Sequence, residues 1–383
     1  VIKTLSILGS TGTIGRNTLD IIAQEKDRFK IIALTANNNI ELLCSQALEF
    51  DAKIIAFEDE SLYPRAQELL SGSKIKIFTG KNSLVDAAGE KTDITMSAIV
   101  GMAGLKPTMG AINAGCNIAL ANKESLVCAG DLMLNAASKN NVKIIPVDSE
   151  HNAIFQIFDF DNPHYVDKII LTASGGPFLD LPLDQLSSVT ISQALNHPRW
   201  KMGSKISIDS ATMMNKVLEI IEAYYLFKID IEKITPIIHP ESIVHSMVSY
   251  IDGSTLAQMG IADMRIPIDF ALNYPVRKSN NLAKLNLSQI AKLTFLEPDL
   301  AKFPSLKLVT NVVKLGLGAQ IIMNGANEVA VDRFLKGKIK FTDIVDIVAR
   351  TLDKFSTENP KNIEQILEID EKARVFATHI TKT

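Results

Sequence analysis

The sequence predicts an α/β protein in three parts: an N-terminal parallel-sheet domain, a central α+β domain and a C-terminal helical domain. Three observations carry this. Over the first 150 residues, short apolar runs alternate with stretches of helical periodicity, the pattern of strand–helix–strand units and hence of a parallel sheet. After about residue 150 the alternation gives way to longer strand-like runs and one long helical run. From about residue 300 the apolar spacing is helical to the end.

Taken in order, "TLSILG" reads as a strand and "IGRNTLDIIAQEKD" as a helix. "FKIIALTA" is the second strand, followed by the helical "NIELLCSQALEF". "AKIIAF", "KIKIF", "DITMSAIV" and "VKIIPV" are further strands, most of them separated by helical stretches. The central region contributes "KIILTASGG" and "TPIIHPESIVHSMVSYIDGSTLAQMG", which point to an antiparallel or mixed sheet, and "SATMMNKVLEIIEAYYLF", read as one helix capped by Ser210. "NYPVRKSNN" turns polar and breaks the pattern. "FPSLKLVTNVVKLG", residues 326–335 and "FTDIVDIVARTLDKF" then read as helices. The expected division is 1–150, 151–273, a linker at 274–299, and 300–383.

Composition narrows the function. Hydrophobic residues make up 46% and charged residues 22% of 383, so a large core is expected and disorder is not. A net charge of −3 argues against a nucleic-acid binder that lives on phosphate contacts. Three cysteines without a C-x-x-C pair argue against a disulfide framework and for a reducing compartment. No apolar run reaches the length of a membrane span. The strand pattern begins within six residues of the start, so no signal or transit segment is expected in the sequence, although a processed one would leave no trace.

"GSTGTIG", Gly9 to Gly15, follows the first strand and opens the first helix. Glycines there let the backbone approach a pyrophosphate, and the helix N-terminus supplies amides and a positive dipole end. With the βαβ context this predicts a doubly wound nucleotide-binding domain; the plainer reading is a strand–helix turn. The second strand ends in Asn37, Asn38 and Asn39, with no acid to hold a ribose 2′-hydroxyl or repel a 2′-phosphate. That favours NADP over NAD, though no cation stands there either.

"IIPVDSEHNAIF" places Asp148 and Glu150 just past a strand. Two residues apart in extended backbone, their side chains would point the same way. Carboxylate oxygens suit Mg2+ or Mn2+ better than zinc. In the long helix, Thr212, Asn215, Lys216 and Glu219 share one face. Ser210, Asn215 and Lys216 suit a phosphate, and Glu219 would be a third metal ligand. The plainer readings are a solvated acidic turn and the polar face of an amphipathic helix. "TASGGPF" offers Ser174 before two glycines, and "LANKESLV" offers Asn122, Lys123 and Glu124. His151 and His245 fit acid–base or structural roles. Trp200, the single tryptophan, stands in the basic, Pro- and Gly-bounded stretch "ALNHPRWKMGSK" at 194–205.

Together "GSTGTIG", "LANKESLV", "PVDSEHNAIFQ", "TASGGPF", "NHPRWKMGSKISIDSATMMNKVLEIIEA" and "HPESIVHSMV" closely resemble the 1-deoxy-D-xylulose 5-phosphate reductoisomerase family of the non-mevalonate isoprenoid route. The resemblance implies a Rossmann-like N-terminal domain, a central catalytic domain, a C-terminal helical domain and a homodimer. It implies isomerisation and reduction of 1-deoxy-D-xylulose 5-phosphate to 2-C-methyl-D-erythritol 4-phosphate, with NADPH and a divalent metal: Mg2+ or Mn2+, with Co2+ as a further option. Carried over by position, it makes Asp148, Glu150 and Glu219 metal ligands. Ser174, Ser210, Asn215 and Lys216 become phosphate contacts, with His197 nearby. Lys123 and Ser149 contact the sugar, and Lys123, Glu150 and Asp148 are the catalytic set. Thr11, Gly12, Thr13, Ile14, Asn122, Glu124 and Gly203 become cofactor contacts, with Asn37, Asn38 and Asn39 standing where the family often has Gly-Lys-Asn. Trp200 becomes the arm of a mobile lid, exposed in the free enzyme, that covers the substrate. The location implied is the bacterial cytoplasm, or a plastid-type organelle after removal of a transit segment. An NADP-dependent dehydrogenase of the homoserine type and a non-catalytic NADPH-binding protein are the alternatives.

Overall fold

The structure, a computed structural model, describes residues 2–200, 202–355 and 359–380. The chain forms two compact units. The first comprises Val1–Ser125, Asp131–Asn152 and Asp263–Leu282; the second comprises Leu126–Gly130, Ala153–Ala262 and Ala283–Thr383.

The first unit is built on a seven-stranded sheet of β1 (Lys3–Leu8), β2 (Phe29–Thr35), β3 (Ile54–Phe57), β4 (Lys76–Thr79), β5 (Ile94–Ser97), β6 (Asn117–Leu120) and β7 (Ile144–Pro146). The order is β4-β3-β2-β1-β5-β6-β7, and every pairing is parallel. The strands are apolar on both faces, as a sheet covered on both sides requires: Leu5, Ile7, Ile31, Ile55 and Met96 are fully or almost fully buried. Pro146, which has no N–H to donate, falls on the edge strand β7. The chain winds outward from β1 to β4 and then returns to β5 on the other side of β1. The sheet's topological switch point therefore lies at the ends of β1 and β5, where open α/β sheets bind ligands.

The second unit carries a mixed sheet of β8 (Val166–Ala173), β9 (Ile234–Ile238), β10 (Val244–Tyr250) and β11 (Thr255–Met259), in the order β11-β10-β8-β9. β10 runs antiparallel to β8 and β11, and β8 runs parallel to β9. Helices Val309–Leu315, Leu317–Leu335, Asp343–Lys354 and Ile363–His379 follow. Leu317–Leu335 is the hub of these: it is buried along most of its length and packs against both Asp343–Lys354 and Ile363–His379. No helix among the described residues is long and apolar enough to cross a membrane.

One expected element is different. "SATMMNKVLEIIEAYYLF" is not a single helix, and Ser210 is not its cap. A helix Ser204–Ala211 ends there, Met213 takes a left-handed conformation (φ 60°), and a second helix runs Met214–Phe227. Amphipathic spacing could not reveal this break, because the apolar pattern continues through it.

Candidate active site

The glycine loop is fixed by the ends of β1 and β2. The Gly9 amide donates to Thr35 Oγ1 (2.9 Å) and the Ser10 amide to the Thr35 carbonyl (2.8 Å). Ser10 Oγ and its carbonyl are held by the buried Gln46 at 2.8 and 3.1 Å. A Cβ on Gly15 would lie 2.4 Å from Ser10 Cα, so only glycine lets the helix begin this close to the strand. The ladder of helix Thr13–Gln24 opens with Arg16 donating to Gly12 at 2.9 Å, so the amides before Arg16 precede any partner within the helix. Thr11, Gly12, Thr13 and Ile14 are at least partly exposed in this loop. Asn37, Asn38 and Asn39 are exposed after β2, and Asn39 caps the helix Ile40–Glu49 through the Leu42 amide.

Past β6, Asn122 is buried. It accepts from the Ser125 amide (2.6 Å) and donates to the carbonyls of Ile99 and Gly101. It thus caps helix Lys123–Lys139 and ties it to the loop after β5, where Val100 is 64% exposed. This β5 loop leaves only a faint signal in the sequence, "IVGMAG" following a strand. Lys123, 4% exposed, and Glu124, also buried, are the first residues of the helix.

Past β7, Asp148 does not continue the strand as expected. Its carbonyl accepts from Asn152 (2.9 Å), and helix Ser149–Ile157 begins at the next residue. Asp148 and Glu150 therefore relate through a helix start, not through extended backbone. Asp148 is in contact with Lys123, and its other oxygen lies 3.5 Å from His151 Nδ1. Burial alone would raise its pKa, but Lys123 and His151 outweigh it and hold the carboxyl well below the usual range. Ser149 Oγ donates to Glu150 at 2.6 Å.

In the second unit, Ser174 follows β8. Its Oγ lies 2.9 Å from His197 Nε2 and accepts from the Gly176 amide at 3.1 Å. His197 Nδ1 accepts from the amides of Arg199 and Trp200 at 3.2 and 3.0 Å. With Nδ1 accepting twice, the ring proton belongs on Nε2, directed at Ser174. Burial lowers the His197 pKa to about 4. Trp200, expected to be exposed, is half-buried, with its ring centroid 6.4 Å from that of His245. Lys201 of the same stretch lies outside the described residues. Gly203 is exposed and precedes helix Ser204–Ala211.

On helix Met214–Phe227, Glu219 accepts from both Asn215 and Lys216, and Lys216 also donates to the Thr172 carbonyl at the end of β8. Lys216 is 3% exposed and Glu219 fully buried. Thr212, expected on the same helical face, precedes the helix and bonds back to Ile208 and Asp209. A Cβ on Gly176 would lie 2.9 Å from the Ser210 carbonyl, so the loop bearing Ser174 packs directly on the end of helix Ser204–Ala211. The three cysteines are buried and none is in a disulfide.

A parallel, doubly wound sheet with a glycine loop at its switch point defines the class, a Rossmann-like nucleotide-binding protein, here joined in one chain to buried lysine–carboxylate pairs. The profile described as 1-deoxy-D-xylulose 5-phosphate reductoisomerase matches residues 5–130, that of its C-terminal domain matches 144–227, and that of the DXP reductoisomerase C-terminal domain matches 259–376. The 1-deoxy-D-xylulose 5-phosphate reductoisomerase of Zymomonas mobilis is 47% identical over 381 residues, spanning 100% of this chain and 98% of that protein. The one from Geobacter metallireducens is 50% identical over 373 residues, 97% of each. The solved structure of the Zymomonas mobilis enzyme in complex with NADPH superposes with a TM-score of 0.93 at 46% identity, covering 99% and 98% of the two chains. A DOX-P reductoisomerase in complex with NADPH, fosmidomycin and magnesium also gives 0.93, at 43% identity and 98% coverage of both. The chain belongs to the 1-deoxy-D-xylulose 5-phosphate reductoisomerase family. This membership does not favour the two alternatives raised by the sequence.

Proposed function

We propose that the protein isomerises and reduces 1-deoxy-D-xylulose 5-phosphate to 2-C-methyl-D-erythritol 4-phosphate, with NADPH and a divalent cation, Mg2+ or Mn2+ in the first place. One observation carries the reading beyond family membership: the candidate residues of the sheet unit all follow the carboxyl ends of its parallel strands. Thr11 to Ile14 follow β1, Asn37 to Asn39 follow β2, Asn122 to Glu124 follow β6, and Asp148 to Glu150 follow β7. That is the edge on which such sheets bind ligands.

The glycine loop, Asn122, Glu124 and Gly203 would hold NADPH, which would supply a hydride. The donor chemistry of Asp148, Glu150 and Glu219 fits a hard divalent cation, since all three offer carboxylate oxygen. Two of them already face buried lysine ammonium groups, so these are positions where positive charge is wanted. A cation held there supplies Lewis-acid polarisation of the substrate oxygens.

The chain's own residues do the rest. Lys216, Asn215, Ser210, Ser174 and His197 hold the phosphate, with the His197 Nε2–H as a neutral donor. Lys123 and Ser149 orient the sugar, and Glu150 moves a proton at the reacting end. Trp200, in the 194–205 stretch, closes over the substrate and excludes water.

By function the chain divides in our reading into a cofactor domain 1–150, a catalytic domain 151–273 with the lid, a linker 274–299 and a helical domain 300–383; by packing, Asp263–Leu282 joins the sheet unit, and the catalytic and helical parts form one compact unit. The enzyme acts as a homodimer in the cytoplasm of a bacterium, or in a plastid-type organelle. The test is NADPH oxidation with 1-deoxy-D-xylulose 5-phosphate as substrate. Turnover is expected with Mg2+ or Mn2+ and is lost with a chelator. Turnover unaffected by chelation, or none with any metal, would overturn the proposal.

A further inference from the structure

The break at Thr212–Met213 needs an explanation. Met213 is an unbranched, buried residue held at φ 60°, a left-handed conformation that is unfavourable for a residue other than glycine. The backbone accounting shows what the break releases. In an unbroken helix the Thr212 carbonyl would accept from the Lys216 amide. Here the Lys216 amide donates to Met213 at 3.1 Å, and the Thr212 carbonyl accepts instead from Ser305 Oγ at 2.6 Å. Ser305 is fully buried and lies 93 residues away. On the other side of the break, Asp209 is 1% exposed and pairs with Lys205 at 2.9 Å. It also accepts from Asn327 Nδ2 at 2.8 Å. Asn327 is fully buried on the central helix Leu317–Leu335. The late helical part of the chain thus grips both flanks of the break, and both contacts lie within one compact unit.

The break matters for the phosphate. At about 100° per residue, an unbroken helix would turn Ser210 about 140° away from Asn215 and about 120° away from Lys216. Those three could not then face one ligand. A left-handed residue between them resets the direction of the second helix relative to the first. We propose that Ser305 and Asn327 are positioning residues for the substrate phosphate. They hold the break that lets Ser210 act with Asn215 and Lys216. This rests on the phosphate reading above and assigns the late helices a part in substrate binding.

The test measures steady-state constants of the full-length enzyme with 1-deoxy-D-xylulose 5-phosphate. Ser305→Ala and Asn327→Ala are each expected to raise the substrate KM about five- to fiftyfold, the range for a lost buried hydrogen-bond partner. The kcat should stay within about threefold and the NADPH KM should not change. Ser305→Thr, which keeps the hydroxyl, should keep the substrate KM. An unchanged substrate KM in Ser305→Ala, or substrate and NADPH KM values rising together as in general loosening, overturns the proposal. If Asn327→Ala gives no folded enzyme, Ser305→Ala, which removes one oxygen, decides alone. Lys216→Ala separates this proposal from the reading beneath it. If that variant leaves the substrate KM unchanged, the phosphate reading fails. If it raises KM and Ser305→Ala does not, only the positioning proposal fails.

Discussion

Two buried lysines, one in each compact unit, stand against carboxylates near the start of a helix. Lys123 is the first residue of helix Lys123–Lys139 and Lys216 the third of Met214–Phe227. Both positions oppose the helix dipole, which disfavours a cation at that end, so each lysine depends on its anion. The partners are supplied differently. Asp148 comes from the end of β7, hydrogen-bonded neighbour of the strand that leads to Lys123. Glu219 lies one turn further along the same helix as Lys216. The first pair takes its geometry from two adjacent strands. The second is internally fixed but takes its direction from the break before it. Equal chemistry is thus placed once by sheet register and once by a turn whose support comes from far along the chain.

The largest expected effect tests whether both carboxylates serve the same ion. Asp148→Asn and Glu219→Gln should each lower turnover on the order of 10²- to 10⁴-fold, since Lewis-acid stabilisation amounts to several kcal/mol. NADPH affinity, followed by fluorescence titration, should be nearly unchanged. Glu219→Gln also leaves Lys216 without its anion, so it should lose more thermal stability than a surface change would. Near-normal turnover of Glu219→Gln at saturating Mg2+ would reduce that pair to a structural one.

Lys216→Ala should act one step lower. A charge-assisted contact is worth about 1.5–3 kcal/mol, or about ten- to a hundredfold in kcat/KM, and the loss should fall on the sugar phosphate and spare NADPH. Lys123→Ala should instead fall mainly on kcat if its partner Asp148 serves the metal and sugar end, as proposed above. A substrate-KM effect of equal size in both variants would erase the functional difference between the two lysines.

The expected pH effect is local and smaller. His197 holds the amides of Arg199 and Trp200 only through an unprotonated Nδ1. Its pKa is lowered from 6.5 to about 4 by burial. A base with a depressed folded pKa contributes order that is complete above about 6.5 and is lost as pH falls through about 4. Emission of the single tryptophan, and its protection from iodide, should therefore hold steady at neutral pH and give way in that acid window. In His197→Gln the transition should disappear. A transition removed by His245→Gln instead would assign it to the ring beside Trp200.

The sheet unit was legible because its signals are local. The glycines, the strand-end acids and the alternating apolar runs each sit next to the structure they specify. The extended placement of Asp148 and Glu150 does not hold: a three-residue strand followed after two residues by a helix looks, in sequence, like a longer strand. The break at Met213 left no local trace: Met, Thr and Asn are tolerable in helices, and the partners that stabilise the break, Ser305 and Asn327, lie about a hundred residues on. His197 was named, but its tautomer depends on a loop conformation that no spacing rule gives.

The smallest expected effect concerns a fourth strand end of the seven-stranded sheet. β1, β6 and β7 close on a glycine loop, a lysine and an aspartate, whereas β2 closes on Asn37, Asn38 and Asn39, all exposed and with no cation among them. Asn39 is committed to capping the next helix, and of the remaining two Asn38 stands where the family often has lysine, which makes it the position to charge. A lysine there would be solvent-exposed, so its attraction to a 2′-phosphate is screened, roughly 0.5–1 kcal/mol at moderate salt. Asn38→Lys should accordingly lower the NADPH KM about two- to fivefold, leave the NADH KM unchanged, and lose its advantage as salt is raised. Rates with saturating cofactor should match those of the parent enzyme. An equal gain for NADPH and NADH would place the 2′-phosphate away from the end of β2, and the cofactor preference would then have to come from the glycine loop and the loop after β5.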